Sequence, residues 1–254
     1  RLDAQIAYES GFDYIECNFS QVMALPRAEF DEWKKRMQDM PIRCEAMNGM
    51  LPGTFRLTGP DADLTPVREF LKEAFARAAE IALPVVVFGS SAARNIPADA
   101  DGNITFPMDK ALDQVAEYLW MAGELARPSG TIIAIEPLRV KECNIIQRVS
   151  EGAEMARRVN HPNVRLLADE YHMIEMNESE HSIIDAGFDL MRHCHTADPV
   201  ARKYPHPDGT WDYKPFFDAL KSIGYEGRVS IEGGCDDFVK DAPRAFEVLD
   251  PLRK

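Results

Sequence analysis

The stretch over residues 131–144, T-I-I-A-I-E-P-L-R-V-K-E-C-N, decides how the rest of the chain is read. Thr131, Ile132, Ile133 and Ile135 are β-branched, the pattern of a strand buried on both faces, and such a strand belongs to a parallel sheet covered by helices. The run ends on a carboxylate, Glu136. Pro137 then halts the ladder because it has no N–H to donate, and a polar loop carrying Arg139, Lys141, Glu142 and Asn144 follows. An acid at the carboxyl end of a buried parallel strand stands where α/β enzymes keep their chemistry.

The same alternation extends in both directions. Upstream, 2–10 reads as a helix stopped by Gly11, 12–17 as a strand carrying Glu16 near its end, and Phe30, Trp33 and Met37 as the buried stripe of a second helix. A strand over 42–47 leads into the loop N-G-M-L-P-G. The clearest helix covers 66–82, where Val67, Phe70, Leu71, Ala74, Phe75, Ala78 and Ile81 fall at steps of three and four, and it feeds a strand over 85–88. After a loop over 89–107, Leu112, Val115, Ala116, Leu119 and Ala122 mark the helix that returns to the central strand. Downstream follow a helix over 149–159, strands over 164–168, 190–195 and 228–232, helices over 182–186 and 215–223, and a C-terminal helix.

Seven strands therefore alternate with eight helices, and the series begins with a helix. Strict alternation over this length predicts a (β/α)8 barrel, read as a single domain over 1–254. One strand is wanting. The expectation is that the first strand and its loop, on the order of fifteen residues by usual element lengths, precede Arg1, in a chain that opens without Met. The rival reading is an open doubly wound sheet, which needs no closing strand.

Composition narrows the function. With 254 residues, 45% hydrophobic and 28% charged, the chain is long enough to bury a sizeable core. A net charge of -13 argues against a nucleic-acid partner, whose affinity rests on Lys and Arg neutralising phosphates. Five singly scattered cysteines suggest neither a disulfide framework nor a thiolate zinc site, so a reducing, cytoplasmic setting is expected. No apolar run is long enough to cross a bilayer and no signal-peptide pattern opens the chain.

Four strand ends carry a potential metal ligand: Glu136 in A-I-E-P-L, Asp169 in L-L-A-D-E-Y-H-M, His195 in R-H-C-H-T-A-D and Glu232 in V-S-I-E-G-G. In a barrel these ends converge on one mouth. Three carboxylates and one imidazole form a mostly hard set, suited to Mn2+ first, then Mg2+ or Co2+, with Zn2+ remaining open. Each residue alone reads more readily as a solvated charge, a helix cap or a hydrogen-bonded histidine; four at equivalent strand ends reverse that. His193 and His195 point to the same side of their strand, so spacing leaves open which binds metal, while Cys194 points away into packing.

On the segments I-E-P-L-R-V-K-E-C-N, D-E-Y-H-M, H-C-H-T-A-D and S-I-E-G, the chain resembles the sugar phosphate isomerase/epimerase superfamily of xylose-isomerase-like TIM barrels, and within it the ketose 3-epimerases acting on tagatose and psicose. The resemblance covers nearly the whole chain. It implies that Glu136, Asp169, His195 and Glu232 hold a divalent metal, that Glu136 and Glu232 are the acid/base pair, and that Glu142 and His172 contact the sugar. It also implies a substrate-binding Arg shortly after the metal histidine, and Arg202 stands one position later than that pattern.

The implied reaction is proton removal beside a ketone, too weakly acidic for a carboxylate alone, eased by a metal that stabilises the cis-enediolate oxygen. Epimerisation returns the proton to the opposite face, hence two glutamates. Hydroxypyruvate-isomerase-like aldose–ketose isomerisation and inosose dehydration use the same parts and stay open. An endonuclease-IV-like nuclease needs many more histidines than the six present, and a silent sugar-binding barrel would not keep every acid. Arg94, in G-S-S-A-A-R-N, reads as a surface residue before a substrate contact, and Trp211 as either an aromatic wall or an exposed turn anchor. A homo-oligomer is compatible with the family, although no stretch marks an interface.

Overall fold

The computed structural model describes residues 2–253. Its seven strands, β1 (Tyr14–Asn18), β2 (Arg43–Asn48), β3 (Val85–Phe88), β4 (Ile132–Ile135), β5 (Val164–Asp169), β6 (Met191–Thr196) and β7 (Arg228–Ile231), pair in sequence order and all in parallel. That is an α/β barrel with one seam, and not the open doubly wound sheet. Across the seam, between β1 and β7, the Tyr14 and Ser230 hydroxyls share a hydrogen bond of 2.8 Å. A cavity of about 800 Å³ also opens there, lined by Ala7, Phe12, Ile15, Phe238 and Phe246 among others.

β3 and β4 form where β-branched residues pack on both faces. Val86, Phe88, Ile133 and Ile135 point outward into one large core with the helices Leu64–Glu80 and Met108–Ala126, whereas Val85, Val87, Ala134 and Leu167 cluster inside the barrel. Side chains alternate with period two, so a residue two beyond an inward one is itself inward. Helix Val149–Val159 lies close on the sheet through Gly152, where a Cβ would stand 2.6 Å from Leu166 Cδ1 and 3.0 Å from Pro137.

Element ends fall within about two residues of the sequence reading. Eleven α-helices are present among the described residues, three more than expected: Phe19–Met23, Ser91–Arg94 and Glu170–Glu175. Each is four to six residues long and opens the loop after β1, β3 or β5, too short for an apolar period to register.

Candidate metal centre and substrate pocket

Period two places the site. Ala134 faces the barrel interior, so Glu136 does as well; Leu167 faces inward, so Asp169 follows; on β6 His193 and His195 share the inner face while Cys194 packs outward with Leu166 and Ala168. Ser230 reaches the interior carboxylate of Glu16, and Glu232 is two residues beyond it. Asp169 pairs with His195 in register, which sets the two ligands level.

Glu136, Asp169, His195 and Glu232 each offer one ligand atom, and these atoms all lie within 4.8 Å of one another. The Nδ1 of His195 stands 3.1 Å from Glu136, 3.3 Å from Glu232 and 3.9 Å from Asp169. Asp169 also caps helix Glu170–Glu175, one of its oxygens accepting from the Tyr171 and His172 amides. Its other oxygen faces the cluster and accepts from Arg202 at 3.3 Å. The capping and the ligand readings of Asp169 thus hold together.

So much converging negative charge has electrostatic consequences. Burial and the neighbouring Glu232 charge push Glu136 up to about 7. Burial works the same way on Glu232, but the positive charges of His195 and Arg202 hold it below the usual carboxylate range. His195 moves above its ordinary value because Glu16, Glu232 and Glu136 outweigh the desolvation that opposes it. Two buried carboxylates and a half-buried third repel one another, and in this arrangement His195 and Arg202 supply the opposing positive charge. Three hard oxygen donors and one imidazole nitrogen also fit a divalent ion, and the single nitrogen leaves the choice among Mn2+, Mg2+, Co2+ and Zn2+ to the coordination geometry.

Above the cluster is a cavity of about 350 Å³ whose wall includes Asn18, Asn48, Ser90, Glu142, His172 and Arg202. Asn48 donates to Glu232 Oε1 at 3.0 Å and Arg202 donates to Oε2, so both oxygens of Glu232 are held. Arg202 also lies 3.3 Å from Asp169 and 3.3 Å from His172 Nε2. Two consecutive left-handed residues, Ala201 (φ 64) and Arg202 (φ 50), fold the loop after β6 back on itself, and the Arg202 carbonyl accepts from the Gly234 amide at 2.8 Å. That tight loop carries the guanidinium into the site despite its displaced sequence position. Glu142 is bound by Arg139 at 2.7 Å and faces Arg202 at 3.5 Å.

Gly89, at the end of β3, is a further member that the sequence did not single out. A Cβ there would stand 2.3 Å from Glu136 Oε2. Gly89→Ala is therefore expected to displace the carboxylate and reduce turnover by about 10²-fold, with the thermal unfolding midpoint little changed; activity assays beside a melting curve check it.

One surface reading needs correction. Arg94 is completely buried, donating to the carbonyls of Phe88 (3.1 Å) and Glu136 (2.7 Å) and lying over the Phe88 ring. It is neither a surface group nor a substrate contact, because carbonyls at the strand ends, that of Glu136 above all, claim its guanidinium. Trp211 is exposed, in line with the turn-anchor reading, and donates from Nε1 to buried Glu170 at 3.0 Å, while Glu170 accepts from Thr196 at 2.6 Å, so the indole is tied to the strand ends. Sequence reasoning also passed over Glu16, which stands 3.0 Å from His195 Nε2 and 2.8 Å from His193 Nε2. The ambiguity between the two histidines resolves by depth: His195 is level with the carboxylates, and His193 lies one layer below against Glu16 and Ser230.

A cluster of side chains that could hold a metal ion thus stands at the carboxyl ends of the barrel strands, and the chain belongs to the xylose isomerase-like TIM barrel family, whose model matches residues 4–253. Among characterised relatives, the L-ribulose 3-epimerase of Methylomonas sp. (strain DH-1) is 26% identical over 249 residues, 92% of this chain and 78% of that enzyme. The 3-dehydro-D-guloside 4-epimerase of Escherichia coli (strain K12) is 25% identical over 126 residues, a match that spans 50% of this chain and only 47% of the relative. The fold superposes on D-psicose 3-epimerase with D-tagatose from Clostridium cellulolyticum H10 with a TM-score of 0.83 at 20% identity, covering 99% of this chain and 92% of the other. Among the described residues no helix is long and apolar enough to cross a membrane.

Proposed function

We propose that this chain is a metal-dependent isomerase that epimerises a ketose at carbon 3, with Glu136 and Glu232 moving the proton. The observation that carries the reading is the convergence of Glu136, Asp169, His195 and Glu232 beneath a cavity of about 350 Å³, the size of a small-molecule site. Relatives named as ketose 3-epimerases support it. These four residues would hold the divalent cation, Mn2+ being the best match to three carboxylates and one imidazole. When bound, such an ion supplies Lewis-acid stabilisation of negative charge developing on the carbonyl oxygen.

The remaining work falls to the chain. Glu136 and Glu232 come from β4 and β7, three strands apart around the ring, so one carboxylate can take the proton from one face of the sugar while the other returns one to the opposite face. Glu142, His172 and Arg202 orient the hydroxyls. Arg202 is the single Arg or Lys among the described residues of the cavity wall, and Asp169, Glu142 and Glu232 already share its charge. That balance favours a neutral, unphosphorylated sugar. The barrel would act as one domain, in a reducing compartment.

Incubating Mn2+-loaded protein with a panel of ketoses in D2O tests the reading. Deuterium at carbon 3 with formation of the epimer is expected. Label confined to carbon 1 or 2 would make the protein an aldose–ketose isomerase, and no label from any ketose would remove it from this chemistry.

A further inference from the structure

His195 has two ring nitrogens, and both face carboxylates. While Nδ1 looks into the cluster of Glu136, Asp169 and Glu232, Nε2 stands 3.0 Å from Glu16 Oε1 on β1, across the barrel interior. Glu16 is no solvated charge: its side chain is only 10% exposed and both its oxygens are engaged. Oε2 accepts from the Ser230 hydroxyl and lies 2.8 Å from His193 Nε2. Nothing in the proton-transfer scheme uses this acid, yet it is the partner of the one imidazole in the proposed ligand set.

A neutral imidazole carries one proton, and a partner that can only accept draws that proton to the nitrogen it faces. We propose that Glu16 is a positioning residue: by accepting the Nε2 proton of His195 it fixes the tautomer in which the Nδ1 lone pair is presented to the cation. The inference rests on the four-residue cation site proposed above. Carboxylate partners of this kind raise ligand basicity as well as holding the ring still, and removing one typically costs 10- to 100-fold in metal affinity. Glu16 further requires its own anchors. The Ser230 hydroxyl, donating to Oε2, keeps the carboxylate from turning away from the histidines.

A competing use of the same residues is a second cation, because ligand atoms of Glu16, His193 and His195 also lie within 4.8 Å of one another. The shared histidine argues against it, since His195 would have to surrender both lone pairs.

The test is calorimetric titration of Mn2+ into metal-free wild type, Glu16→Gln and Tyr14→Phe, the last removing the seam bond without touching Glu16. Expected are one Mn2+ per chain in wild type, binding weakened by about 10- to 100-fold in Glu16→Gln, and unchanged affinity in Tyr14→Phe. Equal affinity in wild type and Glu16→Gln would overturn the positioning role and leave the four-residue site standing. No uptake by wild type would sink both. Two Mn2+ in wild type falling to one in Glu16→Gln would give Glu16 to a second ion instead. Should Glu16→Gln not fold, nitrogen NMR of histidine-labelled, Zn2+-saturated wild type decides: a proton on Nε2 of His195 is expected, and a bare Nε2 there overturns the proposal.

Discussion

Glu232→Gln is expected to stop interconversion of the two epimers while leaving one of them able to exchange its carbon 3 proton with D2O. The carboxamide keeps the size of the side chain but cannot take a proton, so one face of the sugar loses its base. A positioned general base contributes about 10²- to 10⁴-fold, and epimer formation should fall by that factor at saturating Mn2+. Glu136, on β4, remains to remove the proton from the other face, which is why exchange without inversion survives. Part of the change has another origin: the amide oxygen can accept from Asn48 or from Arg202 but not satisfy both as the carboxylate does. Measuring Mn2+ affinity separately removes that contribution. Glu136→Gln should mirror the result with the opposite epimer. Epimerisation retained within tenfold in either variant would show that the residue is not a base.

The four candidate ligands could be picked out in the sequence because each stands at the end of a strand, and because period two carries the inward face of Ala134 to Glu136 and of Leu167 to Asp169. Depth could not. His193 and His195 satisfy the same parity, and only the pairing of Asp169 with His195 says which one is level with the carboxylates. Glu16 was visible as a strand acid and nothing more, since its meaning depends on β1 facing β6 and β7 across the interior, a relation absent from local pattern. Short helices such as Ser91–Arg94 escaped for want of length. Resemblance pointed to Arg202 in the loop after β6, but two left-handed residues there, neither of them glycine, gave no warning of how that loop turns.

Arg94 shows the limit of composition most sharply, and its replacement should be the most damaging to stability. In a loop of glycine and serine an arginine reads as solvated; here it is fully buried without a carboxylate partner, and its guanidinium forks between the carbonyls of Phe88 and Glu136. Those carbonyls end β3 and begin the loop after β4; the Phe88 carbonyl also accepts from the Glu136 amide at 3.1 Å. Arg94→Met keeps apolar bulk but leaves the Glu136 carbonyl buried without this donor, at about 1–3 kcal/mol, and a loss of that size is expected in urea unfolding. Arg94→Lys should fall between, because a point-like ammonium cannot reach two carbonyls in the fixed geometry of a planar fork. The Glu136 carbonyl belongs to the same residue whose carboxylate enters the cation cluster, so Arg94→Lys should also weaken Mn2+ binding even though Arg94 never faces the cavity. A methionine variant as stable as wild type would mean that the Glu136 carbonyl finds water or a new partner, and that the buried guanidinium does not hold the strand ends in place.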